Sequence, residues 1–253
     1  MNRKVSIIGA GPGAIDLLTI RAANRLKEAE VLIWTDSLLP KQLTELVPKN
    51  CEKIPTSSLT LEEIISLIIE RYKKGKQVVR LHDGDPCLYG AISEQISKLA
   101  EEGIDVEVIP GLSAYQAAAA ALKTELTIPS KVQTIILSRA AGRTGMPKNE
   151  KLETLAALQS SLCLYLSARH VEEVQKELLK HYPPETPVAI CYRISWEDEW
   201  IKVVPLCEIS KATKERKIIR TTLFIISPAF LNHKNRSKLY SPEHSHLFRN
   251  ESK

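Results

Sequence analysis

The chain has 253 residues, 43% of them hydrophobic, and a formal net charge of +5. That length accommodates two ordinary domains with real cores, and no run approaches the ~18 apolar residues of a membrane span. Nucleic acid is not indicated either: five Lys or Arg against two Glu after Ala229 account for +3 of the +5, which leaves a nearly neutral body without a basic stripe.

Lys4–Gly9 is too short an apolar stretch for a secretory signal. The expectation is a soluble, cytoplasmic chain with no membrane or nucleic-acid partner. Cys51, Cys87, Cys163, Cys191 and Cys207 are odd in number and never spaced Cys-x-x-Cys. This predicts neither a disulfide framework nor a metal site.

In chain order, Lys4–Gly9 reads as a short strand, and Asp16–Ala29 as a helix with Leu17, Ile20, Ala23 and Leu26 on one face. Glu30–Trp34 is the next strand. Thr60-Leu61-Glu62-Glu63 has the hydroxyl and carboxylate of a capping box, and Leu61, Ile64, Ile65, Ile68 and Tyr72 continue it as a helix up to Gly75. A strand at Gln77–Leu81, a helix over Tyr89–Glu102, a strand at Asp105–Ile109 and an alanine-rich helix at Ser113–Lys123 follow. Such alternation predicts an α/β domain with a mostly parallel sheet.

The pattern breaks around Thr124–Ser130. We therefore expect a first domain at residues 1–124 and a second at 125–230, with 231–253 a basic polar tail lacking the periodicity to pack and expected to be disordered. In the second domain strands are expected at Thr134–Ser138, Leu162–Leu166, Val188–Tyr192, Trp200–Val204 and Thr222–Ile226. Helices are expected near Lys151–Gln159 and at Val171–His181, before Pro183 and Pro184. Successive strands late in the chain imply a mixed sheet.

Three segments lie at the carboxyl ends of predicted strands, where open α/β sheets bind ligands. The first is Gly9-Ala10-Gly11-Pro12-Gly13. Its glycines let backbone approach a ligand, as in a dinucleotide fingerprint. Against that reading, Pro12 removes an N–H where a pyrophosphate needs one, and Ala14 holds the third-glycine position. Asp36 stands where a ribose partner would, so spacing alone leaves the dinucleotide reading open. A plain strand-to-helix turn is a further alternative.

The second segment is His82-Asp83-Gly84-Asp85-Pro86-Cys87-Leu88-Tyr89-Gly90. Its carboxylates can hold a cationic or hydroxyl-rich ligand or be solvated loop charges, and Asp85 can brace its own turn. A lone His82 is more often structural than catalytic. The third is Pro110-Gly111-Leu112-Ser113-Ala114, where Ser113 suits an N-cap and the free N–H groups beside it suit a ligand.

In the order Gly-x-Gly-Pro-Gly, Gly-Asp-Pro-x-x-Tyr-Gly, Pro-Gly-x-Ser-Ala, these loops resemble the tetrapyrrole methyltransferase family. The resemblance runs from about residue 4 to about residue 230. It implies two α/β domains with S-adenosyl-L-methionine in a cleft between them, a fold distinct from the Rossmann-like methyltransferases. It implies cofactor contacts from Pro12, Asp83, Gly84, Asp85, Leu88, Ser113 and Ala114, and from Leu166, Tyr192 and Thr221 in the second domain. It also implies a homodimer.

Finer segments resemble the branch that methylates C11 of precorrin-4 or cobalt-precorrin-4. They are Trp34-Thr35-Asp36-Ser37-Leu38-Leu39-Pro40, Val79-Arg80-Leu81-His82, Ser138-Arg139-Ala140-Ala141-Gly142-Arg143-Thr144 and Tyr192-Arg193-Ile194-Ser195-Trp196. Thr35-Asp36 departs from the Ala-Gly expected there, which bears on the floor of the substrate pocket.

The implied chemistry is methyl transfer from a sulfonium to an electron-rich ring carbon, with no metal. Orienting two large ligands can supply ~7–11 kcal/mol. A proton must leave the substrate, and Asp36 and His82 are candidate bases beside a route through water or the substrate itself. Arg139, Arg143 and Arg193 are candidates for gripping substrate carboxylates. Rival readings are another tetrapyrrole methyltransferase, acting on uroporphyrinogen III or a different precorrin position, and a relative acting on a translation factor or ribosomal RNA. A nicotinamide-dependent oxidoreductase and a ligand-binding regulator without turnover complete the set.

Overall fold

The computed structural model describes residues 4–142 and 145–231, with Ser237, Ser241, Ser245 and Leu247 beyond them. Arg143 and most of the expected tail lie outside the described residues. The chain divides into two compact units. One comprises the residues up to Ala117 with Arg193–Glu199; the other comprises Ala118–Tyr192 and the residues from Trp200 onward.

In the first unit β1 (Val5–Gly9), β2 (Val31–Trp34), β3 (Glu52–Pro55), β4 (Val78–His82) and β5 (Val106–Ile109) form one sheet in the order β3-β2-β4-β1-β5. Every pairing is parallel. The crossovers that parallel strands require carry α1 (Ile20–Lys27), α2 (Leu61–Lys73) and α3 (Ile92–Glu101). β1 and β4 are buried along their whole length, so neither shows the alternating pattern of a half-exposed strand, and β4 buries Arg80 and His82 with its apolar residues. Ile8, Leu32, Val79 and Leu81 pack with Leu26 of α1, while Val5, Ile33 and Val78 pack with Ile68 of α2 and Leu99 of α3. Each fully buried Leu or Ile contributes roughly 1.5–3 kcal/mol. α4 (Ala114–Ala121) follows β5.

The structure corrects three expectations here. The helix expected over Asp16–Ala29 is broken into a 3-10 turn at Ile15–Leu17 and α1. Leu18 and Thr19 are extended, and the Thr19 hydroxyl accepts from the Ala22 N–H at 3.1 Å, which starts a new helix. The helix expected from Tyr89 begins at Ile92, because Tyr89 and Ala91 take left-handed φ angles of 60° and 49°. β3 was not expected at all, since its exposed Glu52 and Lys53 read as loop. The capping box at Thr60 is formed in both directions, at 3.3 and 2.7 Å.

In the second unit β6 (Ile135–Arg139), β7 (Ser161–Tyr165), β8 (Pro187–Tyr192), β9 (Trp200–Pro205) and β10 (Thr222–Ile226) form a sheet in the order β6-β7-β10-β8-β9. The β6–β7 pair is parallel and the others antiparallel, the mixed sheet expected. α5 (Leu152–Ala156) and α6 (Val171–Leu178) are shorter than expected, and α7 (Ile209–Glu215) is additional. Leu164, Ile190 and Phe224 pack with Leu178 and Leu206 in its core. Ser161 and Ser227, both fully buried, share a 2.7 Å hydrogen bond that satisfies their hydroxyls away from water. All five cysteines are free. Among the described residues no helix is long and apolar enough to cross a membrane.

Candidate functional site

Parallel strands all point the same way, so the loops that follow β2, β4, β1 and β5 emerge along one edge of the first sheet. That rim carries Asp36, His82–Leu88, Gly9–Gly13 and Gly111–Ala114. Every expected site residue up to Ala114 is thus on neighbouring strand ends. The loops are stitched through backbone. The Ala10 N–H donates to the His82 carbonyl (2.8 Å), and Gly11 and Gly84 exchange hydrogen bonds of 3.2 and 2.8 Å.

Asp85 ties the second loop to the third. Its carboxylate accepts from the N–H groups of Cys87 (2.8 Å) and Gly111 (3.0 Å). Asp85 is therefore a brace, while its carbonyl accepts from the Leu88 N–H at 3.1 Å. Gly84 is left-handed (φ 56°), and a Cβ on Gly111 would overlap the Gly84 carbonyl oxygen. Close approach of the two loops thus requires glycine at 111. Ser113 precedes α4, and its N–H donates to Gln116 Oε1 at 2.9 Å.

Most of the glycine loop's backbone donors are already taken. The N–H groups of Ala10 and Gly11 are committed to backbone, that of Ala14 donates to Ser195 Oγ (2.9 Å), and Pro12 has none. A dinucleotide site needs those donors free for pyrophosphate. The rim instead presents a carboxylate. Asp83 is open to solvent, yet the protein packed around it raises its pKa above the ordinary Asp value, against the opposing pull of its own N–H and of Arg80.

Both candidate bases are held by their surroundings. The Asp36 carboxylate accepts from the N–H groups of Thr56 (2.9 Å) and Ser57 (2.8 Å) and from the Ser57 hydroxyl (2.7 Å). Desolvation acts to raise its pKa, but these hydrogen bonds together hold it below the usual value. Asp36 therefore closes the β2 loop onto the end of β3. His82 is only 4% exposed, and burial, aided by the nearby Arg80 cation, pushes its pKa down to about 3. It is a neutral ring with no hydrogen-bond partner at Nε2. Arg80 is itself buried, donating to the Ile33 carbonyl (3.4 Å) and Thr56 Oγ1 (3.3 Å).

The second unit has a rim of its own. β6 and β7 end together, with Arg139 opposite Tyr165; β10 starts beside the ends of β7 and β8, with Thr222 opposite Tyr192 and Phe224 opposite Leu164. Arg139, Leu166, Thr221 and Tyr192 consequently lie at one end of four neighbouring strands. Leu166 and Thr221 both take φ of 52°, and the Leu166 side chain is 66% exposed. Such strain costs about 1–3 kcal/mol per residue and gathers at functional sites.

The two described arginines make contacts within their own loops. Arg139 donates to the carbonyls of Ala140 (3.2 Å) and Gly145 (2.9 Å). Arg193 bonds Asp198 at 2.6 Å and lies over the Trp196 ring, 4.8 Å from its centroid. Both are held in part by their own loops, and Arg143 lies outside the described residues. Sequence reasoning missed the Arg193–Glu199 strap that packs with the first unit. No spacing rule joins Trp196 to Pro12, 184 residues earlier, although Trp196 Nε1 donates to the Pro12 carbonyl.

A parallel sheet rimmed by these three loops, followed by a mixed five-stranded sheet, defines a class. The tetrapyrrole (corrin/porphyrin) methylase profile matches residues 4–210, and the chain belongs to that family. Within it, the cobalt-precorrin-4 C(11)-methyltransferase of Methanocaldococcus jannaschii is 45% identical to this chain, the match covering 100% of this chain and 98% of the relative. The X-ray structure of a cobalamin biosynthetic enzyme, cobalt precorrin-4 methyltransferase, matches with a TM-score of 0.88 and 38% identity over 90% of this chain and 96% of its own. Uroporphyrin-III C-methyltransferase of Thermus thermophilus, solved with S-adenosylhomocysteine, matches with a TM-score of 0.76 and 26% identity over 89% and 98%.

Proposed function

We propose that this chain transfers a methyl group from S-adenosyl-L-methionine to C11 of precorrin-4, in its cobalt-containing or metal-free form, as a step of cobalamin biosynthesis. The observation that carries this reading is 45% identity over essentially the whole of both chains to a cobalt-precorrin-4 C(11)-methyltransferase.

The first rim fits this methyl donor on its own chemistry. A nucleoside without phosphates does not need the committed N–H groups of the glycine loop, and an open carboxylate, Asp83, suits a cation. When bound, S-adenosyl-L-methionine supplies a methyl group already activated on a positively charged sulfur. Pro12, Asp83, Gly84, Leu88, Ser113 and Ala114 are assigned to holding it at the first rim, with Leu166, Tyr192 and Thr221 contributing from the second. Asp85 keeps the second and third loops in register, through the bonds to Cys87 and Gly111. The residues orient and exclude water; none serves as a nucleophile. Asp36 and His82 keep structural roles, and the proton that the methylated ring carbon gives up leaves by way of the substrate's own groups to solvent at the open side of the site. Arg143 remains assigned to a substrate carboxylate; an Arg143→Ala variant with unchanged substrate affinity removes that assignment. By the same resemblance we assign the chain a homodimer, which light scattering checks.

The test is calorimetric titration with S-adenosylhomocysteine and, in parallel, NAD, followed by turnover with precorrin-4 and cobalt-precorrin-4. Saturable binding of the homocysteine compound near one per chain, without NAD binding, supports the reading. Binding of NAD alone overturns it.

A further inference from the structure

The segment between β8 and β9 is more than a connection. Arg193–Glu199 follows β8 and belongs to the first unit, where it packs on the glycine loop. Trp196 Nε1 donates to the Pro12 carbonyl at 3.0 Å, and Ser195 Oγ accepts from the Ala14 N–H at 2.9 Å. Gly13, between those two residues, lies against the indole: a Cβ there would overlap Trp196 Cδ1 and Nε1. Gln42 Nε2 reaches Glu197 Oε1 at 3.3 Å. Two side chains from one strap therefore take the two polar groups that Pro12 and Ala14 would otherwise expose.

The strap is braced within itself. The Arg193 guanidinium stacks on Trp196 and bonds Asp198, and Glu199 accepts from the Ser195 N–H at 2.6 Å. Arg193 and Ser195 hold left-handed φ angles of 46° and 64°, unfavourable for residues other than glycine. A connection that merely reversed the chain could relax with glycine at those positions. Keeping side chains there retains the cation over the indole and the hydroxyl under the Ala14 N–H.

We propose that Trp196 and Ser195 are positioning residues of the methyl-donor site, fixing the shape of the Pro12-Gly13-Ala14 loop from outside it. The mechanism is that of a supporting shell, in which residues that do not touch the ligand hold in place those that do. The proposal rests on the reading that this loop lines the S-adenosyl-L-methionine site. It also explains why Arg193 is held internally: its charge locks the indole rather than a substrate carboxylate.

The test uses the full chain and three variants, Trp196→Phe, Ser195→Ala and the conservative Ser195→Thr. Each is titrated with S-adenosylhomocysteine and melted. Trp196→Phe keeps an aromatic ring and loses the N–H; Ser195→Ala loses one hydroxyl from a partly buried contact. Each is expected to raise the dissociation constant roughly fivefold, the effect of one lost hydrogen bond, with Ser195→Thr within about twofold of the parent. In turnover, KM for the methyl donor should rise more than kcat falls. The ligand-induced change in tryptophan emission should shrink in Trp196→Phe. If the parent binds S-adenosylhomocysteine and both loss variants bind it equally well, the positioning role is overturned and the methyltransferase reading survives. If the parent does not bind it, both fall together.

Discussion

The two rims open strand ends by opposite means. In the first unit the loops after β1, β4 and β5 approach so closely that Gly111 has no room for a Cβ, and their backbone groups bond one another. In the second, Leu166 and Thr221 turn with φ of 52° while keeping their side chains. Where backbone must meet backbone, glycine is the solution; where a side chain must be displayed at a sharp turn, strain is accepted instead. At Gly9 and Gly111 the first rim is therefore intolerant of added atoms, whereas at Leu166 and Thr221 the second keeps side chains at a cost.

The largest expected effect comes from crowding the first rim. Gly111→Ala should lower stability by about 3 kcal/mol, the upper end for overpacking, as measured by urea unfolding; a neutral result breaks the contrast between the rims. The pH dependence is next. Because the folded pKa of His82 lies near 3, below the unfolded value of about 6.5, its neutral form is favoured by folding. Stability should be unaffected by this group above that unfolded value and fall as pH drops from it toward the folded value. The loss from His82 alone is about 2 kcal/mol at pH 5, and His82→Gln should flatten that slope in denaturation at pH 7 and pH 5.

A smaller effect is expected at Asp83. At neutral pH, Asp83→Asn should weaken S-adenosyl-L-methionine binding about fivefold, the scale of one solvent-screened charge contact. Because the Asp83 pKa is raised, affinity in the parent should fall on acidification before ordinary aspartates titrate, while the variant shows no such limb. Calorimetry across pH reads both, and a limb persisting in the variant rules Asp83 out as its source. Smallest is Leu166→Gly, in which relief of strain offsets the entropy of the added glycine. Its unfolding free energy should stay within about 1 kcal/mol of the parent or rise, while S-adenosylhomocysteine affinity drops. A drop in stability of the size expected for Gly111→Ala would erase the distinction between the rims.

Most of the architecture was legible from pattern. β2 is an apolar run, the Thr60 capping box announces α2, and closely spaced strands late in the chain announce the mixed sheet. The misses have local causes. Thr19 caps a new helix inside an apparently continuous one, and β3 hides behind charged side chains at a sheet edge. Within the candidate site, the three loops announced their own location. The partners of their side chains did not: Asp36 is claimed by Thr56 and Ser57, and Ala14 by Ser195, 181 residues away.

By itself, then, the sequence determined the alternation of strands and helices, the loops that gather at the carboxyl ends of β1, β4 and β5, and through them the family. These follow from side-chain periodicity and turn chemistry, which act over a few residues. Only the tertiary structure decided that the N–H groups of Ala10, Gly11 and Ala14 are taken by the protein, that burial holds His82 toward its neutral form, and that Arg139 and Arg193 bond within their own loops. Hydrogen-bond partners and desolvation are set by what packs around a group in space, and neighbours along the chain do not specify that.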